Sequence, residues 1–322
     1  MRAFAVIATL CTAIAMTPAA AQTDYPNHPI RMILPQSPGS GSDLVARLIS
    51  EKMGQALKQP VVVENRPGAN GNIAAAFVAK APADGYTILM AGVSQIAFNP
   101  SLYEKLPYDP ARDFSYISPV TSNGFLLVAS KQSGITSFKD LVQKAKAKPA
   151  RYTYASGGAG NSTHLSTEMI AQTEGFELMH VPFNGTGPAL NAVIAGQIDL
   201  MSSVVGTALP QVLGGNVVPL VVLAPERIKE LPDVPTLAET GSKAAAMDGW
   251  FALVGPAGLD PQVVKVLNDA TQQALADPEI KKRLDGAYLV PMSGSAERMR
   301  QRAETDAKVW GDFIRRAQIQ VN

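Results

Sequence analysis

The sequence predicts an α/β protein of two domains, and three observations carry that expectation. Short aliphatic strands alternate with segments whose apolar residues recur at helical spacing, the pattern of parallel βαβ units. The chain has 322 residues, long for one hydrophobic core when domains of about 150 residues are common. Two strand-like apolar runs, residues 125–129 and 250–254, stand apart from the alternation and read as crossings between domains. The first domain is then discontinuous, residues 22–125 with 250–322, and the second is residues 126–249.

The elements follow in order. Residues 1–21 are set aside first: Met1-Arg2 is a minimal positive start, an apolar stretch follows, and Ala19-Ala20-Ala21 supplies small residues for cleavage. The stretch is short for a membrane span, so a cleaved export signal is expected, and with it an exported protein. Ile30-Arg31-Met32-Ile33-Leu34 is a short strand, and after a loop Leu44, Val45, Leu48, Ile49, Met53 and Leu57 mark one helix face. Val61-Val62-Val63, bounded by Pro60 and Asn65, reads as a buried strand. A helix over 72–80 and a strand over 86–90 follow. The second domain repeats the rhythm: helix 138–147, strand 152–154, helix 162–172, strand 178–181, helix 188–195, strands 198–201 and 217–223. Beyond Pro261 the pattern is helical, over 263–276, 278–284 and an amphipathic 296–317.

Composition removes several functions. Lys and Arg total 28 against 27 Asp and Glu, so there is no basic surplus to neutralise a nucleic acid. The single cysteine, Cys11, lies in the export signal, which leaves the mature chain without thiol chemistry or disulfide staples. Leu10 is bulky where a lipoprotein signal takes a small residue, so no lipid anchor is expected at Cys11. His164 and His180 have no metal-type spacing to further ligands, so no metal is expected.

The informative feature is a set of small-residue loops, each between a strand and a helix. Pro38-Gly39-Ser40-Gly41-Ser42-Asp43 opens the first helix. Ser156-Gly157-Gly158-Ala159-Gly160-Asn161-Ser162-Thr163 opens the helix carrying His164, and Asn184-Gly185-Thr186-Gly187-Pro188 opens a third. Each places unpaired amides and the positive end of a helix dipole beside small hydroxyls, which suits an anion. One such loop alone reads sooner as an ordinary helix cap than as a ligand site; three, spread over both domains, point to a ligand crevice at the carboxyl ends of the strands.

Enzyme readings fare worse. Gly39-Ser40-Gly41 opens like a dinucleotide fingerprint, but Leu44 stands where the third glycine belongs. The segment ending Ser162-Thr163-His164 lacks the last glycine of a nucleophile elbow, and no orienting acid is identifiable. A secreted serine hydrolase using Ser162 and His164 is the rival reading.

Ordered runs along the mature chain resemble one family: Pro38-Gly39-Ser40-Gly41-Ser42-Asp43, Asn65-Arg66-Pro67-Gly68-Ala69, Ala81-Pro82-Ala83-Asp84-Gly85-Tyr86-Thr87, His180-Val181-Pro182-Phe183, Gly196-Gln197-Ile198-Asp199-Leu200-Met201 and Leu231-Pro232-Asp233-Val234-Pro235-Thr236. The chain is similar to the periplasmic receptors of tripartite tricarboxylate transporters, the Bug-type solute-binding proteins. The resemblance implies a two-lobed Venus-flytrap fold of the type II periplasmic-binding kind, with no catalysis and no cofactor. It implies a monomer that delivers a small carboxylate to the membrane subunits of a secondary carrier.

By the same resemblance, the ligand is held by Gly39, Ser40, Gly41, Ser42 and Asp43, by Ser94, by Ser156, Gly158, Gly160, Asn161, Ser162, Thr163 and His164, and by Gly185, Thr186 and Ala189. Ser202 and Ser203 follow Asp-Leu-Met, where many relatives carry Phe-Asp. Losing that acid removes a partner for a ligand ammonium and a repulsion toward a second carboxylate. The expected ligand is therefore a dicarboxylate without an amino group, aliphatic or aromatic.

Overall fold

A computed structural model describes residues 25–244 and 247–321. The expected export signal lies outside them. The elements in chain order are β1 (Ile30–Leu34), α1 (Gly41–Leu57), β2 (Val61–Asn65), α2 (Asn72–Ala79), β3 (Thr87–Gly92), a π-turn (Ser94–Phe98), α3 (Asn99–Leu102) and β4 (Phe114–Ser130). Then come α4 (Phe138–Ala147), β5 (Thr153–Ser156), α5 (Ser162–Glu174), β6 (Met179–Pro182), α6 (Thr186–Ile194), β7 (Leu200–Val204), α7 (Val205–Leu213) and β8 (Val217–Val222). The last are β9 (Asp248–Pro256), α8 (Pro261–Ala276), α9 (Pro278–Gly286), β10 (Val290–Pro291) and α10 (Ala296–Arg316).

One strand organises the molecule. The first part of β4 pairs antiparallel with β9, ending at Gly124↔Asp248. From Phe125 onward it lies between β7 and β8, starting at Phe125↔Val204 and Leu126↔Val222. The sheet therefore runs β2-β1-β3-β9-β4-β7-β5-β6, with β4 shared by two halves. The alternation of strand and helix is as expected, but β4 extends well beyond the apolar run at 125–129. Pro119 sits at a register shift between Pro119 and Thr121, the kind of irregularity at which a strand tolerates proline.

The registers fix where strand ends point. Parallel strands β1, β2 and β3 share one direction, and β3 runs against β9 from Leu89↔Val254 to Gly92↔Phe251, toward the Gly124↔Asp248 pair. In the other half β5, β6 and β7 are parallel, and β7 runs against β4 from Leu200↔Ala129 to Val204↔Phe125. The carboxyl ends of both sets thus approach the middle of β4 from opposite sides.

Apolar residues fill both faces. Ile30, Met32, Val45, Ile49, Met53, Leu267 and Leu284 pack α1, α8 and α9 on one face of the first half. Leu126, Val128, Leu190, Val193, Met201 and Leu209 do the same for α6 and α7 in the second. On the opposite face one continuous cluster runs across both halves, from Phe98, Trp250 and Trp310 to Phe125, Leu165 and Met169. At the crossing, Arg302 of α10 bonds Asp248 at 2.6 Å and Asp306 at 2.8 Å, and Trp250 Nε1–H donates to Asp306 at 2.7 Å.

Candidate functional site

The first helix start is held by its own polar residues. Ser40 caps α1, its Oγ accepting from the Asp43 N–H at 3.2 Å, while the Gly39 N–H donates to the Asp43 carboxylate at 3.1 Å. Arg47 Nε and Asn65 Nδ2 donate to the same carboxylate at 2.9 and 3.0 Å. The Arg47 guanidinium, with these amides, holds the Asp43 carboxyl down to about 2 against burial. Asp43 is thereby spent on shaping the loop. Ser42 is buried and its hydroxyl donates to Gln36 at 2.8 Å. Open space surrounds Gly39 and Gly41, with no heavy atom within 4 Å of where a Cβ would stand.

In the second half Asn161 caps α5, its Oδ1 accepting from the amides of Thr163 and His164 at 3.0 and 3.1 Å. The Gly157 N–H donates to Thr163 Oγ1 at 2.9 Å, and the Gly158 N–H to the buried Ser156 Oγ at 3.2 Å. Ser156 Oγ also bonds His180 Nε2 at 2.7 Å. The Gly160 N–H donates to His164 Nδ1 at 3.0 Å, so the neutral ring carries its proton on Nε2. Gly185 at the start of α6 bonds the Gly157 carbonyl through its N–H at 3.1 Å, and a Cβ on Gly157 would meet Thr186 Cγ2 at 2.9 Å. The loops opening α5 and α6 therefore form one packed unit.

What these loops leave open are backbone donors. Among the described residues, the amides of Gly41, Ser42, Ser162, Thr186 and Gly187 donate to no protein group. These are first-turn helix amides with the dipole behind them, the equipment for a carboxylate. Ser94 is partly exposed at the head of the π-turn after β3. Other expected residues lie deeper. Ala189 packs in the core, Ser202 is bonded to Ser166 at 2.8 Å beneath α5, and Ser203 is fully buried in β7.

His164 and His180 stack 4.0 Å apart, with Tyr154 stacked 4.8 Å from His180 and its hydroxyl donating to Glu168. Burial, and for His164 also the neighbouring His180, pushes the two imidazoles down to about 3 and about 4. Burial raises the Glu168 carboxyl, while the Tyr154 hydrogen bond lowers it. Ser162 makes no hydrogen bond to His164 among the described residues, and His164 Nδ1 is taken by Gly160, so the pair is not assembled for proton transfer.

Sequence reasoning passed over Gln36, Arg47 and Asn65, which brace the first loop, and Asn70, whose Nδ2 reaches the Gly160 carbonyl at 3.4 Å. Asn65 stands in one of the runs quoted above, and Asn70 directly follows it, but nothing in their spacing points to these contacts. A cavity of about 720 Å3 lies between α4, β8 and residues 233–240 and shares no residue with the loops.

The chain matches the family model described as tripartite tricarboxylate transporter family receptor over residues 45–319. It belongs to that receptor family. The receptor is 32% identical over 311 residues to BugT of Bordetella pertussis, covering 95% of this chain and 94% of BugT. A Rhodopseudomonas palustris protein solved with adipate is 30% identical with a TM-score of 0.84, covering 92% of this chain and 100% of the other. MatC of the same organism, solved with bound malate, is 30% identical with a TM-score of 0.81, covering 89% and 99%. The receptor thus has the two-lobed α/β periplasmic-binding fold, and its family consists of solute-binding receptors, not enzymes.

Proposed function

We infer that this receptor works in the periplasm, capturing a dicarboxylate without an amino group between two lobes, residues 22–125 with 250–322 and residues 126–249. Closing lobes then present the loaded receptor to the membrane subunits of a tripartite secondary carrier. The observation that carries this reading is the set of unpartnered first-turn amides on α1, α5 and α6, in loops at strand ends that approach the middle of β4 from both sides. One carboxylate is assigned to Gly41 and Ser42, the other to Ser162 with Thr186 and Gly187. Glycines 39, 158, 160 and 185 and the caps Ser40 and Asn161 shape these loops, and Ser202 and Ser203 set the floor behind α5. No cationic side chain is assigned to the ligand, so binding rests on amides and dipoles. The adipate and malate bound by the two neighbours support a dicarboxylate as the class.

Thermal-shift screening followed by calorimetry decides it. Aliphatic and aromatic dicarboxylates are expected to raise the melting temperature and bind at micromolar strength, with amino acids silent. Micromolar binding of amino acids, with no heat from di- or tricarboxylates, overturns the assignment.

A further inference from the structure

The geometry points to a clasp: Asn70, seated on a left-handed turn of the first lobe, holds the Gly160 peptide of the second lobe and slows release of the ligand. This rests on the capture reading above. Residues 68–71 have φ of 128°, 46°, 50° and 85°, four successive positive values, two of them on Ala69 and Asn70. Such a conformation persists only where its surroundings over-determine it. They do so here. Gln95 Nε2 and Asn99 Nδ2 donate to the Asn70 carbonyl at 2.8 and 3.2 Å, and Asn99 is itself fixed by Asn72 Oδ1 at 2.6 Å.

That turn delivers Asn70 Nδ2 to two acceptors, Asn99 Oδ1 at 2.8 Å and the Gly160 carbonyl at 3.4 Å. Gly160 has φ 76°, and a Cβ there would stand 2.8 Å from Val321 Cγ2 and 2.9 Å from Leu102 Cδ1. The bare peptide is therefore seated in a socket of the first lobe. The Val321 N–H bonds the Leu102 carbonyl at 3.2 Å, which fixes the tail as one wall. On its other side the Gly160 N–H donates to His164 Nδ1, so the seated peptide is coupled to the start of α5 and the Ser162 amide. Glycine would satisfy φ 50° at position 70 more readily than asparagine; what asparagine adds is a donor. Asn70 is thus a positioning residue, acting on the ligand through the Gly160 loop.

The test uses Asn70→Gly, which relaxes the backbone and removes the amide, and Asn70→Asp, which keeps the size and loses the donor. With adipate or malate as probe, both variants should release ligand about three- to tenfold faster, with association within about twofold of the parent, the size of one hydrogen bond. In the melting temperature of ligand-free Asn70→Gly the lost Asn99 contact and the relaxed backbone oppose one another, so release is the deciding readout. Unchanged release in both variants overturns the clasp, as does a melting loss in Asn70→Gly with release unaltered. Should the parent bind neither acid nor any other dicarboxylate, the capture reading fails on its own. Hydrogen exchange over residues 158–162 in the ligand-free chain then decides: faster exchange in Asn70→Gly supports the clasp, equal exchange overturns it.

Discussion

Gly41 offers the sharpest test of backbone recognition at a single residue. It is the first residue of α1, its predecessor Ser40 has φ −72° and ψ 164°, and open space surrounds its Cβ position. Proline accepts that position and that predecessor. Gly41→Pro should keep the fold while deleting one N–H; losing a charge-assisted hydrogen bond of about 1.5–3 kcal/mol weakens carboxylate binding about tenfold or more by calorimetry. Gly41→Ala, which keeps the amide, should stay within about threefold of the parent. The stacked imidazoles make a second prediction. Both groups are held below 6.5 in the folded protein, so the unfolded chain takes up protons first as pH falls. Stability is then full above about 6.5 and declines as pH drops toward about 4. Melting curves from pH 7.5 to 4 should show this slope, reduced in His180→Gln; a flat profile contradicts it.

At the scale of elements, legibility followed how cleanly each segment showed its period. β1 is apolar but for Arg31 and α4 carries Ser137 as a cap, and both were readable to the residue. The first part of β4 was not, because Ser115, Ser118, Pro119, Ser122, Asn123 and Gly124 look like loop residues and only pairing with β9 makes them strand. α7 was missed because Gly206 and Pro210 oppose helix propensity. Tertiary contact explains the glycine: a Cβ on Gly206 would stand 2.2 Å from the Ala287 carbonyl oxygen. Gly206→Ala must therefore push α7 from the backbone after α9, costing roughly 1–3 kcal/mol in urea unfolding. No loss would mean that the two backbones separate freely. The site divides similarly. Small residues and caps announced the helix starts, whereas the braces Gln36, Arg47 and Asn65 and the reach of Asn70 depend on chain segments meeting in space.

For the molecule as a whole, two peptide crossings link halves that face one another, so relative motion should be a rotation about β4 and the start of β9. Saturating dicarboxylate should lower the radius of gyration in X-ray scattering, because a ligand that bridges both halves favours the compact arrangement. Identical curves with and without bound ligand contradict closure. The ion pair of Arg302 with Asp248 ties α10 to the start of β9 on this axis.

The place of β9 in the sheet also governs how such a chain comes into being. It lies between β3 and β4, so β3 keeps one open edge, with only β1 beside it, until Asp248–Pro256 has been made. A polypeptide emerging from the ribosome therefore carries most of its length before its first half can lock.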